Sequence, residues 1–139
     1  MATITTFISG TQEHLDLSGR AIGMCNTLNF ATTNVAASDV VQAIKIPANA
    51  LVTRVSVIVR TAEGGTCTAT VGDGTDADGW DVSSNFNAAA NTVTVSTVGT
   101  DALAVGKFYA SADTIDFTMS NAAATGKVTI VAEYSMVDR

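Results

Sequence analysis

The densest run of side chains that could do chemistry is Gly72-Asp73-Gly74-Thr75-Asp76-Ala77-Asp78-Gly79-Trp80-Asp81, with four carboxylates inside nine residues. Clustered carboxylates suit Ca²⁺, a hard cation that takes oxygen ligands. Asp73, Asp76 and Asp78 are the calcium candidates. The spacing departs from the helix-loop-helix template. Counting from Asp76, Asp78 falls on the third position, but Trp80 holds the fifth and Asn87 the twelfth, where a bidentate Glu belongs. Asp and Gly are also the default turn residues, because Asp bonds its own backbone and Gly reaches positive φ. The loop therefore reads as a structural turn, with no metal and no cofactor expected.

Trp80, the lone tryptophan, follows that loop. It could stack on a sugar, but the burial tendency of tryptophan favours a place in the core or at an interface. His14 is the only histidine and so the only ready general base near neutral pH. It sits in a polar stretch, and no serine stands in a nucleophile-elbow context that would complete a triad with it. The aspartates cluster in one turn rather than facing each other across a cleft, as glycoside hydrolysis requires. The chain reads as a non-enzyme. Cys25 and Cys67 have no CxxC partner and read as two buried small hydrophobes, with a disulfide between them left open.

The elements that would position these groups are strands. From Leu51 to Thr61 the sequence alternates on a period of two, with Leu51, Thr53, Val55, Val57 and Val59 on the apolar face. Glu63-Gly64-Gly65 supplies a turn, and Thr66 to Val71 returns with Cys67, Ala69 and Val71 on one side, which predicts a central hairpin. Asp39 to Ile46 alternates and is ended by Pro47, the only proline. Further strands are expected at Met24–Ala31, Trp80–Asn87, Asn91–Val98, Lys107–Ala110, Thr114–Ser120 and Lys127–Val137, with a short one around Leu15–Leu17. Ala2, Thr3, Ile4, Thr5, Thr6, Phe7 and Ile8 form a first short strand or an extended arm that docks on a neighbour. No capped 3.6-residue pattern is present. Eight or nine short antiparallel strands at regular spacing predict an all-β, jelly-roll-like β-sandwich, with residues 1–139 as a single domain.

Composition narrows the partners. The net charge of −6 and the scatter of seven basic residues exclude a phosphate-binding face, so no nucleic acid is expected. No stretch nears the ~20 apolar residues of a membrane span, and Met1 to Thr6 lacks the pattern of a secretory signal, which places synthesis in a cytoplasm. Hydrophobic residues make up 47% of the chain and charged residues 14%. That is well below the ~25% charge of an average soluble domain. A surface so poor in charge points to a broad protein–protein interface.

Ile46-Pro47-Ala48-Asn49-Ala50-Leu51-Val52-Thr53, the run Val71 to Trp80, Gly106-Lys107-Phe108-Tyr109-Ala110, Asp113-Thr114-Ile115-Asp116 and Gly126-Lys127-Val128-Thr129-Ile130 together resemble the head decoration, or cement, proteins of tailed bacteriophages. The resemblance spans Ile46 to Arg139 and is one of overall style without an invariant chemical motif. It implies a homo-oligomer, dimer or trimer, on the capsid exterior. It also implies that the partner is the major capsid protein, which such a decoration clamps, and that the protein is made in the host cytoplasm. The alternative from another class is a carbohydrate-binding sandwich of a phage fibre or tail tip, built on Trp80, Tyr109 and the aspartate loop.

Overall fold

The computed structural model describes residues 1–4 and 22–137. His14, Thr5 to Ile8 and the strand expected at Leu15–Leu17 lie outside them. The described residues form ten strands: β1 (Thr3–Ile4), β2 (Ile22–Asn29), β3 (Val40–Ile46), β4 (Ala50–Thr61), β5 (Thr68–Asp73), β6 (Asp81–Asn85), β7 (Val93–Val95), β8 (Lys107–Tyr109), β9 (Asp113–Met119) and β10 (Lys127–Met136). One sheet runs β1-β3-β9-β5-β6 and the other β2-β10-β4-β7, with β8 also paired to β4. Setting aside β1 and β8, the orders 3-9-5-6 and 2-10-4-7 are those of an eight-stranded jelly roll. The all-β sandwich is as expected. The described residues hold ten strands where about eight or nine were expected, and β1 runs parallel to β3, with Thr3 opposite Val40 and Ile4 opposite Val41.

The expected central hairpin is absent. β4 and β5 lie in different sheets. β10 takes one edge of β4, and β7 and β8 share the other, so β5 has no edge to occupy there. It crosses instead to pair with β9 and β6. The crossover lets the two apolar faces meet across the core rather than lie side by side. Val55, Val57 and Val59 are buried from one sheet, and Cys67, Ala69 and Val71 belong to the buried set of the other. Stacking two apolar faces removes both from water, at roughly 1.5–3 kcal/mol for each large aliphatic side chain.

Two bulges reverse the expected facing within single strands. In β4, Arg54 pairs with Glu133 and Val52 with Tyr134, which leaves Thr53 as the extra residue. Ala50 and Val52 are therefore buried, while Leu51 is half-buried and Thr53 exposed, contrary to the simple alternation. In β3 the register shifts between Gln42 and Ile44, so Val41 and Ala43 face the core first and Ile44 and Ile46 after them. The strand expected at Asn91–Val98 shortens to Val93–Val95, because the Thr97 amide donates to Asp101 Oδ2 at 2.6 Å and turns the chain away. Cys67 is buried as expected, but Cys25 is exposed, and both are free thiols. At the centre Phe86 stacks on Phe30 at 5.8 Å and meets Phe117 edge-on at 5.1 Å.

Candidate functional site

The aspartate loop leaves β5 at Asp73 and folds back over the outer side of its own strand. The Asp73 amide donates to Asp76 O at 2.9 Å, and the Thr70 hydroxyl donates to Ala77 O at 2.7 Å. Gly72 makes the fold-back possible: a Cβ there would lie 2.0 Å from Asp76 O and 2.3 Å from Ala77 C. Those are backbone atoms, which cannot swing aside.

Within this loop the Asp73 carboxylate is wholly committed to donors from its own chain. Oδ1 accepts from the Thr75 amide at 2.9 Å, the Thr75 hydroxyl at 2.7 Å and the Asp76 amide at 3.1 Å. Oδ2 accepts from Lys107 Nζ at 2.6 Å and the Tyr109 hydroxyl at 2.7 Å, and Tyr109 in turn accepts from Trp80 Nε1 at 3.3 Å. Lys107 also sits 4.9 Å from the Tyr109 ring centre. Burial alone would raise the Asp73 carboxyl, but the bonds from Lys107, Tyr109 and Thr75 outweigh it and hold it well below the usual carboxylate range. Burial, with the Asp73 carboxylate beside it, pushes the Tyr109 phenol far up. Because β8 belongs to the other sheet, the cluster is a polar stitch between sheets. It leaves Asp73 no lone pair for a cation. Among the described residues, no three His, Cys, Asp or Glu side chains form a group that could hold a metal. Asp78 is exposed, apart from buried Asp73.

Trp80 is fully buried and Tyr109 nearly so. Trp80 thus takes the core position, not the interaction surface, and neither ring offers a face to a sugar. Of the expected arm, Ala2, Thr3 and Ile4 are paired within their own chain. The Val40 amide donates to Ala2 O at 2.8 Å, and the Ala2 amide donates to Asp39 Oδ1 at 3.0 Å. Backbone bonds from Ala36 and Ala2 hold the Asp39 carboxyl below its ordinary value.

Sequence reasoning missed Glu63 and Asp116. Glu63, read as a turn residue, is buried at the crossover. It accepts from the amides of Ala124, Thr125 and Gly126 at 2.6–3.1 Å and from the Thr125 hydroxyl at 2.8 Å. Burial opposes its charge, but these donors win and lower its pKa. Asp116 lies on the outer side of β9 opposite Gln42 and Gly72, yet is only 8% exposed. Its Oδ1 has no partner. Burial, with the charges of Asp113 and Asp73, pushes its carboxyl up to about 6 against a bond to the Thr114 side chain.

The outer face of the β2-β10-β4-β7/β8 sheet is built differently. Register aligns Thr27, Thr129, Ile58 and Val93 in one row and Cys25, Val131, Ser56 and Val95 in the next; Ser135, Leu51 and Phe108 form another. Val93 is 54% exposed and Phe108 48%. Thr27 and Thr129 hydroxyls share a hydrogen bond at 2.8 Å. An exposed Arg54–Glu133 pair at 3.1 Å interrupts the neutral rows, and Arg60 and Lys127 stand at one end. No described element packs over this face. Its flat apolar and hydroxyl rows suit contact with another protein surface.

No protein-family model and no curated sequence matches the chain. Solved structures do. A chain in the capsid of Ralstonia phage GP4 superposes with a TM-score of 0.71 and 18% identity, covering 99% of both chains. A chain of the cyanophage Pam1 capsid asymmetric unit gives 0.66 and 18%, covering 91% of this chain and 92% of that one. A chain of the acidic stable capsid of Helicobacter pylori bacteriophage KHP30 gives 0.62 and 15%, covering 85% and 89%. At such identities the likeness is one of fold.

Proposed function

We propose that this chain is a virion structural protein, a decoration (cement) protein that binds the outer surface of a tailed phage's major capsid protein as a homo-oligomer and stabilises the head. The observation that carries the reading is the end-to-end match of the chain's fold to a chain of similar length in a phage capsid, at 99% coverage of both. The weakly charged open sheet face supports it, since a decoration needs broad contact area rather than reactive groups. The carbohydrate-binding alternative loses its stacking platform, because Trp80 and Tyr109 are buried.

The test is cosedimentation of the purified chain with capsids of its own phage assembled without it. Saturable binding at a fixed number of copies per capsid, with a raised melting temperature of the decorated head, is the expected outcome. Capsids that sediment without it would overturn the proposal.

A further inference from the structure

Asp39 is a buried carboxylate without a cationic side chain beside it. It is 7% exposed, and aspartates that far from water are normally paired with a positive charge. Its two oxygens take backbone amides instead. Oδ2 accepts from Ala36 at 2.9 Å and Oδ1 from Ala2 at 3.0 Å. The ion pairs Arg54–Glu133 and Lys107–Asp73 leave it out, and among the described residues no Lys or Arg partners it. One of its two donors, however, can become a cation. The Ala2 nitrogen is a neutral amide only while Met1 is joined to it. Met1 is 94% exposed, and strand pairing starts beyond it, at Thr3.

We infer that the chain is cut at the Met1–Ala2 bond and that Asp39 is the seat for the freed α-ammonium of Ala2. Hydrolysis breaks the C–N bond and adds water across it. Met1 leaves with the new carboxylate, and the Ala2 nitrogen takes up a proton beside Asp39 Oδ1. Whatever stands ahead of Ala2, the cut leaves the same end. The bond is within reach of a peptidase that accepts a small residue after the cut, since Met1, Ala2 and Thr3 are all exposed. The present hydrogen bond has one charged partner and the new one has two, which makes it an ion pair. Its consequence falls on β1. That strand is two residues long and rests on β3 through Thr3 opposite Val40 and Ile4 opposite Val41, with the Val40 amide donating to Ala2 O at 2.8 Å. Chain ends fray unless something ties them down. The ammonium ties Ala2 to the residue just ahead of β3, so the cut fastens the edge of the sheet.

The inference does not depend on the decoration reading, so either can fail alone. The intact mass of the full chain from its native source should be that of residues 2–139, one methionine short of the sequence. The freed amine is then probed with an acylating reagent at neutral pH, where only the uncharged amine reacts, and the label is located at Ala2 by peptide mapping. Pairing with Asp39 should slow labelling at least about tenfold relative to Asp39→Asn, the factor that a rise of about one unit in the amine's pKa gives. Asn keeps an oxygen for the Ala36 amide, so the turn should survive, and matched circular dichroism would verify it. A second variant leaves Asp39 alone: the chain acetylated at Ala2 keeps the N–H and loses the charge. The Val40 amide, which donates to Ala2 O, should exchange several-fold faster there than in the chain with the free amine. A native chain that keeps Met1 or begins elsewhere overturns the inference. So does an amine that labels equally fast with Asp39 and with Asn in its place, or an acetyl group that leaves Val40 exchange unchanged.

Discussion

The two sheets of the sandwich obey the same strand alternation, yet their outer faces end up in opposite conditions. The β5-bearing sheet is partly roofed by its own loop, which buries Asp116 and locks Asp73 into five hydrogen bonds. Among the described residues nothing roofs the β10-centred sheet, which shows rows of Val, Thr, Ile and Ser to the outside. The difference comes from one loop, not from the strands. Gly72 lets the chain double back, and Asp73 supplies the acceptors that hold it there. A face covered by its own chain carries stability, whereas an uncovered one is free to carry contact.

That contrast can be broken most directly at Asp73. Asp73→Ala leaves Lys107 and Tyr109 without their shared acceptor, and removing one partner of a buried ion pair costs about 3–5 kcal/mol. Urea denaturation should register a loss of that size, with Lys107→Met milder because it leaves a carboxylate still bonded by Thr75 and Tyr109. Next comes Gly72→Ala, whose methyl would strike the Asp76 carbonyl; about 1–3 kcal/mol should be lost, with proteolytic cutting newly favoured between Gly74 and Gly79.

Asp116→Asn sharpens the comparison through pH. The folded-state pKa of Asp116, about 6, lies above its ordinary value of 3.8. Its contribution therefore favours the fold below about pH 4 and is lost as pH rises through about 6. Replacing it should stabilise the protein at pH 7 by on the order of 1–2 kcal/mol and flatten the stability profile between pH 4 and 7. Asp73 and Glu63 have the opposite sign: their depressed pKa values give stability at neutral pH that fades on acidification. The smallest effect belongs to the open face. Thr129→Arg should change the melting stability of the isolated monomer by within about 0.5 kcal/mol. A large loss there would show that the bare sheet carries stability after all.

Much of the strand content was legible in the sequence, because period two is a property of a single segment. Val55, Val57, Val59, Ile115, Phe117 and Met119 are buried as their alternation predicts. Alternation says which face is apolar but not which strand lies alongside, and so Thr61–Thr68 read as a hairpin when it is a crossover. The bulges at Ala43 and Thr53 were invisible for a related reason: a bulge is defined by two paired strands. The stitches were the hardest to see. The amides that hold Glu63 come from residues 61 to 63 positions away, and the Lys107 and Tyr109 donors to Asp73 from 34 and 36 away. The one available hint was local, in the two glycines Gly72 and Gly79 bracketing the loop. Trp80, which its sequence left between the core and an interface, is fully buried.

The central position of β10 also sets an order in time. It lies between β2 and β4, and its Thr129 hydroxyl meets Thr27 from 102 residues away. A ribosome working at about 5–20 residues per second needs on the order of 5–20 s to travel that distance. Until β10 is made, the nascent β2 and β4 have no strand to join them. Closure of this sheet is thus expected to follow release of the C-terminal strand, on the slow ms–s scale of non-local β pairing.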